Sequence, residues 1–230
     1  MADPATVVLV HGAWHGAWCW DEVAARLRAD GTPVIAVDSP SVTAGGDMYD
    51  DARNLRDAIA EAGGETVVVG HSYGGVVATE GAAGAQGVRH LLYLTAFMLD
   101  EGESLSTIAG STPPAWQVPD PDGRTLSVAG TQHVFYNTCD PEVADAAAAR
   151  LRPHTIEAFV QPVRSVAWRD VPSTYVICDR DNAIPVPAQE AMAARARTTH
   201  RLDADHSPFM NHAGAVVALI RDAAGSPKER

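Results

Sequence analysis

The chain has 230 residues, of which 46% are hydrophobic and 20% are charged, and this composition suits one globular domain with a sizeable core. Its 17 basic and 29 acidic residues give a formal net charge of −12, and because no run of Lys or Arg occurs, nucleic acid and anionic membranes are not expected partners. Three cysteines without CxxC spacing argue against a disulfide framework and against a structural zinc site.

Apolar, β-branched segments alternate with helical segments in both the first and the last part of the chain. The predicted strands are residues 6–10, 33–37, 66–69, 88–94, 173–178 and 198–202. The predicted helices are residues 20–29, 48–62, 76–85, 187–195 and 213–223. Because the strands are apolar throughout, the pattern predicts a mostly parallel sheet of about six strands with helices on both faces.

The alternation stops between residues 99 and 169. This interval is rich in proline and charged turns, and it contains one clear predicted helix at residues 142–151. We interpret it as a cap or lid inserted over the sheet. The predicted organisation is therefore a core formed by residues 1–98 and 170–230, with a cap formed by residues 99–169.

The sharpest motif is Gly70-His-Ser-Tyr-Gly-Gly75, which follows a buried strand and leads into a helix. This is the setting of a nucleophile elbow, in which a serine sits on a tight strand-to-helix turn and the helix N-terminus faces a developing oxyanion. The motif predicts that Ser72 is a nucleophile on an α/β-hydrolase fold.

A serine nucleophile needs a base, and His206 is the best candidate. It lies in a loop between the last predicted strand and the last helix. That position is at the carboxyl end of the sheet and after the acid in chain order, as this fold requires. Four other histidines precede the elbow, adjoin the serine, or fall within a strand or the last helix: His11, His71, His200 and His212.

The acid that steadies the imidazolium should follow the strand at residues 173–178. Asp179 and Asp181 both stand there, and spacing alone does not separate them. Asp100, just beyond the preceding strand, is a third candidate.

An oxyanion hole is predicted at the turn after the first strand. Gly12 lets the backbone turn so that an N–H points at the substrate carbonyl oxygen. Position assigns this donor to Ala13, with Gly12 and Trp14 as alternatives, and the N–H of Tyr73 would be the second donor.

With these residues in hand, the chain resembles the plant methylesterase and hydroxynitrile lyase branch of the α/β-hydrolases and its bacterial relatives. The resemblance is carried by Val10-His-Gly-Ala-Trp-His-Gly-Ala-Trp-Cys-Trp20, Gly70-His-Ser-Tyr-Gly-Gly75, Cys178-Asp-Arg-Asp-Asn-Ala-Ile-Pro185 and Ala204-Asp-His206. It implies a catalytic triad of Ser72, His206 and Asp181, and oxyanion donors at Ala13 and Tyr73.

The resemblance also bears on the reaction. The lyases of this branch carry threonine at the position of Gly12 and lysine at the position of Ser207. A lyase needs a cation to hold departing cyanide, whereas a neutral site with an oxyanion hole suits acyl transfer. We therefore predict an esterase. The alternatives are a lyase, a thioesterase or C–C bond hydrolase, and a non-catalytic small-molecule receptor.

The expected substrate is a small ester with an apolar or aromatic group. The candidate substrate-binding residues are Gly12, Trp14, Trp116, His133, Phe135, Tyr136 and Phe209. The mechanism requires no metal and no cofactor. Without a signal-like N-terminus or a long apolar run, we expect a cytoplasmic protein with no membrane partner, and the sequence leaves a homo-oligomer open.

Overall fold

A computed structural model describes residues 4–110, 113–121 and 123–225. Its central sheet has six parallel strands in the order β2-β1-β3-β4-β8-β9. The strands of this sheet are β1 (Thr6–Val10), β2 (Val34–Val37), β3 (Thr66–Ser72), β4 (Val88–Ala96), β8 (Ser173–Cys178) and β9 (Thr198–Leu202). The predicted α/β-hydrolase sheet is thereby confirmed.

Helices cover both faces of this sheet. Those packed on it are α1 (Asp21–Ala29), α3 (Met48–Ala62), α4 (Gly74–Gly81), α9 (Val186–Ala193) and α11 (Ala213–Gly225). Alternate strand residues point to opposite faces, so Val8 and Val10 pack in the core with α3, α4 and α9 while Val7 and Leu9 pack with α1 and α11. The strands are therefore buried on both sides, as their unbroken apolar runs predict.

Three predicted boundaries at and just after the elbow are wrong. Strand β3 continues to Ser72 instead of ending at residue 69, and α4 begins at Gly74 and ends at Gly81 instead of covering residues 76–85. Gly70 explains the first difference, because a glycine weakens a strand pattern in sequence while leaving the backbone free to continue it. His212 also lies just before α11 and not inside it.

The segment between β4 and β8 contains a second, antiparallel sheet in the order β5-β6-β7, which the sequence analysis missed. The strands are β5 (Gln117–Pro119), β6 (Thr125–Val128) and β7 (His154–Thr155). Short helices accompany it: α5 (Leu105–Ala109), α6 (Thr131–Phe135), α7 (Pro141–Ala148) and α8 (Glu157–Val160). Two further short α-helices are α2 (Pro40–Thr43), after β2, and α10 (Pro208–Asn211), before α11. The described chain also has two 3-10 helices, Ala17–Trp20 and Ala167–Arg169.

Candidate active site

The elbow holds Ser72 in a left-handed backbone conformation, with φ of +51°. Such a φ is uncommon outside glycine and is maintained by the surrounding structure. A Cβ at Gly70 would lie 2.6 Å from the Gly74 carbonyl oxygen, and one at Gly74 would lie 2.5 Å from the Val10 carbonyl oxygen. The glycines are therefore required because backbone passes against backbone at this turn.

His206 and Asp181 form a buried pair. Nδ1 of His206 lies 2.7 Å from Oδ2 of Asp181, and their side chains are 2% and 0% exposed. Oδ1 of Asp181 accepts the backbone N–H groups of Ala183 and Ile184 at 2.6 and 2.8 Å. Each carboxylate oxygen is thus held by the turn before α9 or by the imidazole, and the carboxylate orients the ring.

The other two carboxylate candidates lie elsewhere. Asp179 is exposed and pairs with Arg201, and Asp100 pairs with Arg169. The structure therefore brings only Asp181, of the three, to His206.

The remaining histidines have supporting or unrelated positions. His71 donates from Nε2 to the His206 carbonyl at 2.7 Å, and burial lowers its pKa well below the usual value, so its ring is neutral. His11 donates from Nδ1 to the Gly12 carbonyl and accepts the Ser39 N–H at Nε2. These bonds brace the first loop (residues 11–16, directly after β1). The side chain of His200 is exposed on β9.

Three residues other than glycine have positive φ among the described residues, and all three lie at this site: Trp14, Ser72 and Thr95. Thr95 was not predicted. Its hydroxyl donates to Oδ2 of Asp181, and its φ of +37° is unusual for a β-branched residue. Backbone strain that collects around one side-chain cluster is typical of functional sites.

The first loop places Ala13 beside the elbow. Ala13, Ser72 and Tyr73 line one cavity together with His206. The N–H of Trp14 donates to Nδ1 of His154 at 3.3 Å. Because this N–H already has an acceptor, Trp14 is a weaker candidate than Ala13 for the oxyanion donor. No hydrogen bond links Ser72 Oγ to Nε2 of His206 within the described chain, and such bonds often tighten only with substrate bound.

Aromatic side chains form much of the cavity wall. Of the predicted substrate-binding residues, Trp14, Trp116 and Phe135 line it. Phe97 and Phe159 also line it and were missed, because an aromatic side chain in sequence gives no sign of which cavity it will face. Phe135 stacks on the His206 ring at 5.4 Å between centroids, so aromatic packing reaches the candidate base.

The structure does not bring the other predicted substrate-binding residues to the cavity wall. Phe209 packs against Trp20 and His71 in the core, and the Tyr136 hydroxyl donates to His15. His133 has an exposed side chain on α6. Gly12 lies behind the wall, against His71 and Ser72.

Residues 7–219 match the model of the alpha/beta hydrolase family. The chain belongs to the alpha/beta hydrolase family. Its relatives in this family include alpha/beta hydrolase nvfD of Aspergillus novofumigatus, which is 30% identical over the full length of both chains. Methylesterase 7 of Arabidopsis thaliana is 28% identical over 94% of this chain and 95% of its own length. The resemblance to plant methylesterases is thus confirmed.

A solved alpha/beta hydrolase structure agrees in fold. The pyrethroid hydrolase of Sphingobium faniae superimposes with a TM-score of 0.83 at 24% identity, covering 98% of this chain and 99% of that one. Within the part of the chain that the structure describes, no helix is long and apolar enough to cross a bilayer, and no group of three His, Cys, Asp or Glu side chains could hold a metal ion.

Proposed function

We propose that this family member is a serine esterase in which Ser72, His206 and Asp181 form the catalytic triad. One observation carries the proposal: His206, buried and paired with Asp181, lines the same cavity as a serine on a strained elbow. Relatives named esterase, methylesterase and hydrolase support a carboxylic ester hydrolase.

The proposed reaction has two half-reactions. Ser72 Oγ bonds to the ester carbonyl carbon while its proton passes to Nε2 of His206, and Asp181 steadies the resulting imidazolium. The N–H groups of Ala13 and Tyr73 stabilise the oxyanion. The oxyanion collapses, the alcohol leaves with the proton from His206, and water repeats the sequence on the acyl-enzyme.

The cavity favours a small substrate with an apolar or aromatic group. Its wall is formed by rings and aliphatic side chains, including Trp116, Phe135 and Ile184. None of the described residues that line it is Lys or Arg, so the wall offers no cation for a cyanide leaving group. A Cβ at Gly12 would lie 2.7 Å from Nδ1 of His71 and 2.9 Å from Cβ of Ser72, which leaves no space for a threonine. Both features support ester hydrolysis over lyase chemistry.

The test is hydrolysis of p-nitrophenyl butyrate by the native chain and by Ser72→Ala. We expect Ser72→Ala to lose activity by roughly a millionfold in kcat, to the background of the assay. Full activity in Ser72→Ala would overturn the proposal, and so would a native chain that cleaves no carboxylic ester.

A further inference from the structure

The peptide unit between Ala13 and Trp14 is hydrogen-bonded at both of its ends. Its carbonyl oxygen lies 2.9 Å from Nδ1 of His15, and its N–H lies 3.3 Å from Nδ1 of His154. Trp14 has φ of +65°, a conformation that a bulky side chain rarely adopts without external restraint. The two histidines are such restraints.

His15 holds this peptide unit from within the first loop. A carbonyl oxygen only accepts, so Nδ1 of His15 carries the proton and Nε2 accepts the Tyr136 hydroxyl at 2.8 Å. Burial lowers the pKa of His15 to about 3, so the ring stays neutral and keeps both roles.

His154 holds the same unit from a distant part of the chain. It lies on β7, is completely buried, and uses the lone pair of Nδ1 for the Trp14 N–H. Its ring also packs edge-on against Tyr73, with centroids 4.7 Å apart. His154 therefore contacts the residue that follows one proposed oxyanion donor, Ala13, and the residue that supplies the other, Tyr73.

Trp14 has two more attachments to the same region. Its indole N–H donates to the Leu126 carbonyl on β6 at 2.7 Å, and its own carbonyl accepts the Arg152 N–H at 2.9 Å. Trp14 thus fixes the turn that carries Ala13 to the β5-β6-β7 sheet.

We propose that His154 is a positioning residue that assembles the oxyanion hole by accepting the Trp14 N–H. This inference rests on the proposed function, because it presumes that Ala13 and Tyr73 donate to the oxyanion. Without the acceptor at residue 154, the N–H end of the Ala13–Trp14 peptide unit loses its hydrogen bond while His15 still holds the carbonyl end. The backbone at Ala13 is then less firmly fixed, and the adjoining Ala13 N–H departs from the position the oxyanion will occupy. Small misplacements of this kind cost catalytic rate more than substrate binding.

Two substitutions of His154 distinguish the effect of its hydrogen-bond acceptor from the effect of its ring packing. Nε2 of His154 has no hydrogen-bond partner among the described residues, so His154→Phe keeps the packing on Tyr73 and removes only the acceptor for Trp14. His154→Asn keeps an acceptor, Oδ1, near the position of Nδ1, and removes the ring that packs on Tyr73. Because His90 is buried near the start of β4 and bonds Thr174, away from the elbow, His90→Phe is the matched control.

The readouts are kcat and KM for p-nitrophenyl butyrate and the inhibition constant of an alkyl trifluoromethyl ketone. Ser72 Oγ bonds to the ketone carbon, its proton passes to His206, and the carbonyl oxygen becomes an oxyanion, so this inhibitor reports on the oxyanion hole. For His154→Phe we expect kcat to fall by roughly ten- to hundredfold with little change in KM. The inhibition constant should rise by a similar factor.

His154→Asn should be at least about tenfold more active than His154→Phe, and His90→Phe should match the native chain. The inference is overturned if His154→Phe keeps native kcat and ketone affinity, or if His154→Asn is no better than His154→Phe. Thermal unfolding of each variant shows whether the fold is retained. A native chain that hydrolyses no ester would instead contradict the proposed function, so the two failures are distinguishable.

Discussion

At the scale of single residues, the environment of each carboxylate decides its role. Asp179 and Asp181 follow the same strand, yet Asp179 is exposed beside Arg201 while Asp181 is buried against His206, Thr95 and Gln189. A buried carboxylate is stable only when its oxygens are hydrogen-bonded. Asp181 meets this requirement, because its oxygens accept hydrogen bonds from the turn, from Thr95 and from Gln189 on α9 in addition to the imidazole of His206.

We expect Asp181→Asn to lower kcat for ester hydrolysis on the order of 10³- to 10⁴-fold. An amide no longer stabilises the imidazolium, and it no longer holds the neutral ring in the tautomer that leaves Nε2 unprotonated. The matched control is Asp179→Asn, which loses only an exposed ion pair and should change kcat less than about twofold. Steady-state kinetics of the two variants check this, and equal losses in both would contradict the assignment.

A second prediction concerns Gly12. In Gly12→Ala the new Cβ would meet His71 and Ser72 at less than 3.0 Å, so the first loop or the elbow must shift. We expect a loss of roughly 1–3 kcal/mol in the free energy of unfolding, together with at least about tenfold lower kcat. Gly214→Ala is the control, because its Cβ would come no closer than 3.6 Å, to Arg26. Urea denaturation and kinetics decide, and a native-like Gly12→Ala would be evidence against this packing.

Sequence reasoning found residues whose motif is local and missed residues whose partners are distant. Ser72 has its glycines and its helix beside it in sequence, and His206 lies in the expected loop. The contact of His154 with Trp14 spans 140 positions, and Thr95 reaches Asp181 across 86. No periodicity or spacing encodes such contacts, because the fold alone brings those positions together.

At the scale of elements, a buried carboxylate joins three helices behind the elbow. Asp51 on α3 accepts hydrogen bonds from the backbone and hydroxyl of Ser41 on α2, and from the Tyr73 hydroxyl at the start of α4. Burial raises the pKa of Asp51 to about 6, although its hydrogen bonds with Ser41 and Tyr73 act in the opposite direction. The network therefore links Tyr73, the residue after Ser72, to α2 and α3.

This raised pKa predicts a dependence of stability on pH. Between about pH 4 and pH 6 the unfolded chain has released the Asp51 proton while the folded chain still holds it, so this group lowers the free energy of unfolding as pH rises. Asp51→Asn does not titrate. The stability of Asp51→Asn relative to the native chain should therefore increase by roughly 2–3 kcal/mol from pH 4 to pH 7.

Chemical denaturation of both proteins at several pH values measures that difference, in which the other titrating groups largely cancel. A difference that is constant with pH, or that falls, would show that Asp51 is not the buried acid described here.

Strand prediction succeeded for the central sheet and failed for the β5-β6-β7 sheet for a physical reason. The central strands are buried on both faces and appear as unbroken apolar runs. Strands β5 and β6 are partly exposed and contain proline or few apolar residues, and β7 is buried but only two residues long. None of the three therefore gives an apolar run or a clear alternation in the sequence. Their role as part of a cap, over residues 99–169, stays a prediction.

At the scale of the whole molecule, the cavity is formed where the first loop and the elbow meet the residues between β4 and β8. It is narrow, with about 40 Å³ of space. Trp116 packs edge-on against Trp14 and Phe135, with centroids 5.7 and 5.9 Å apart. The rings of Trp14, in the first loop, and of Trp116 and Phe135, between β4 and β8, therefore set the size of the group that can reach Ser72.

We expect Trp116→Ala to widen this space and to shift preference toward longer acyl groups. The ratio of kcat/KM for p-nitrophenyl octanoate to that for the acetate should rise by about tenfold. Trp168→Ala removes an indole outside the cavity wall, where its N–H bonds the Leu99 carbonyl, and should leave the ratio unchanged. If both variants shift the ratio alike, Trp116 does not limit acyl length.

Covalent labelling tests most directly whether Ser72 is the nucleophile of an esterase. A fluorophosphonate is added to the native chain, to Ser72→Ala and to Ser106→Ala, the last a control serine on α5 that does not line the cavity. Intact mass with peptide mapping locates the adduct. We expect one adduct at Ser72 in the native chain and in Ser106→Ala, through a new P–O bond with loss of fluoride and in parallel with loss of ester hydrolysis, and no adduct in Ser72→Ala. An unlabelled native chain that still hydrolyses esters, or labelling at another residue in Ser72→Ala with activity retained, would contradict it.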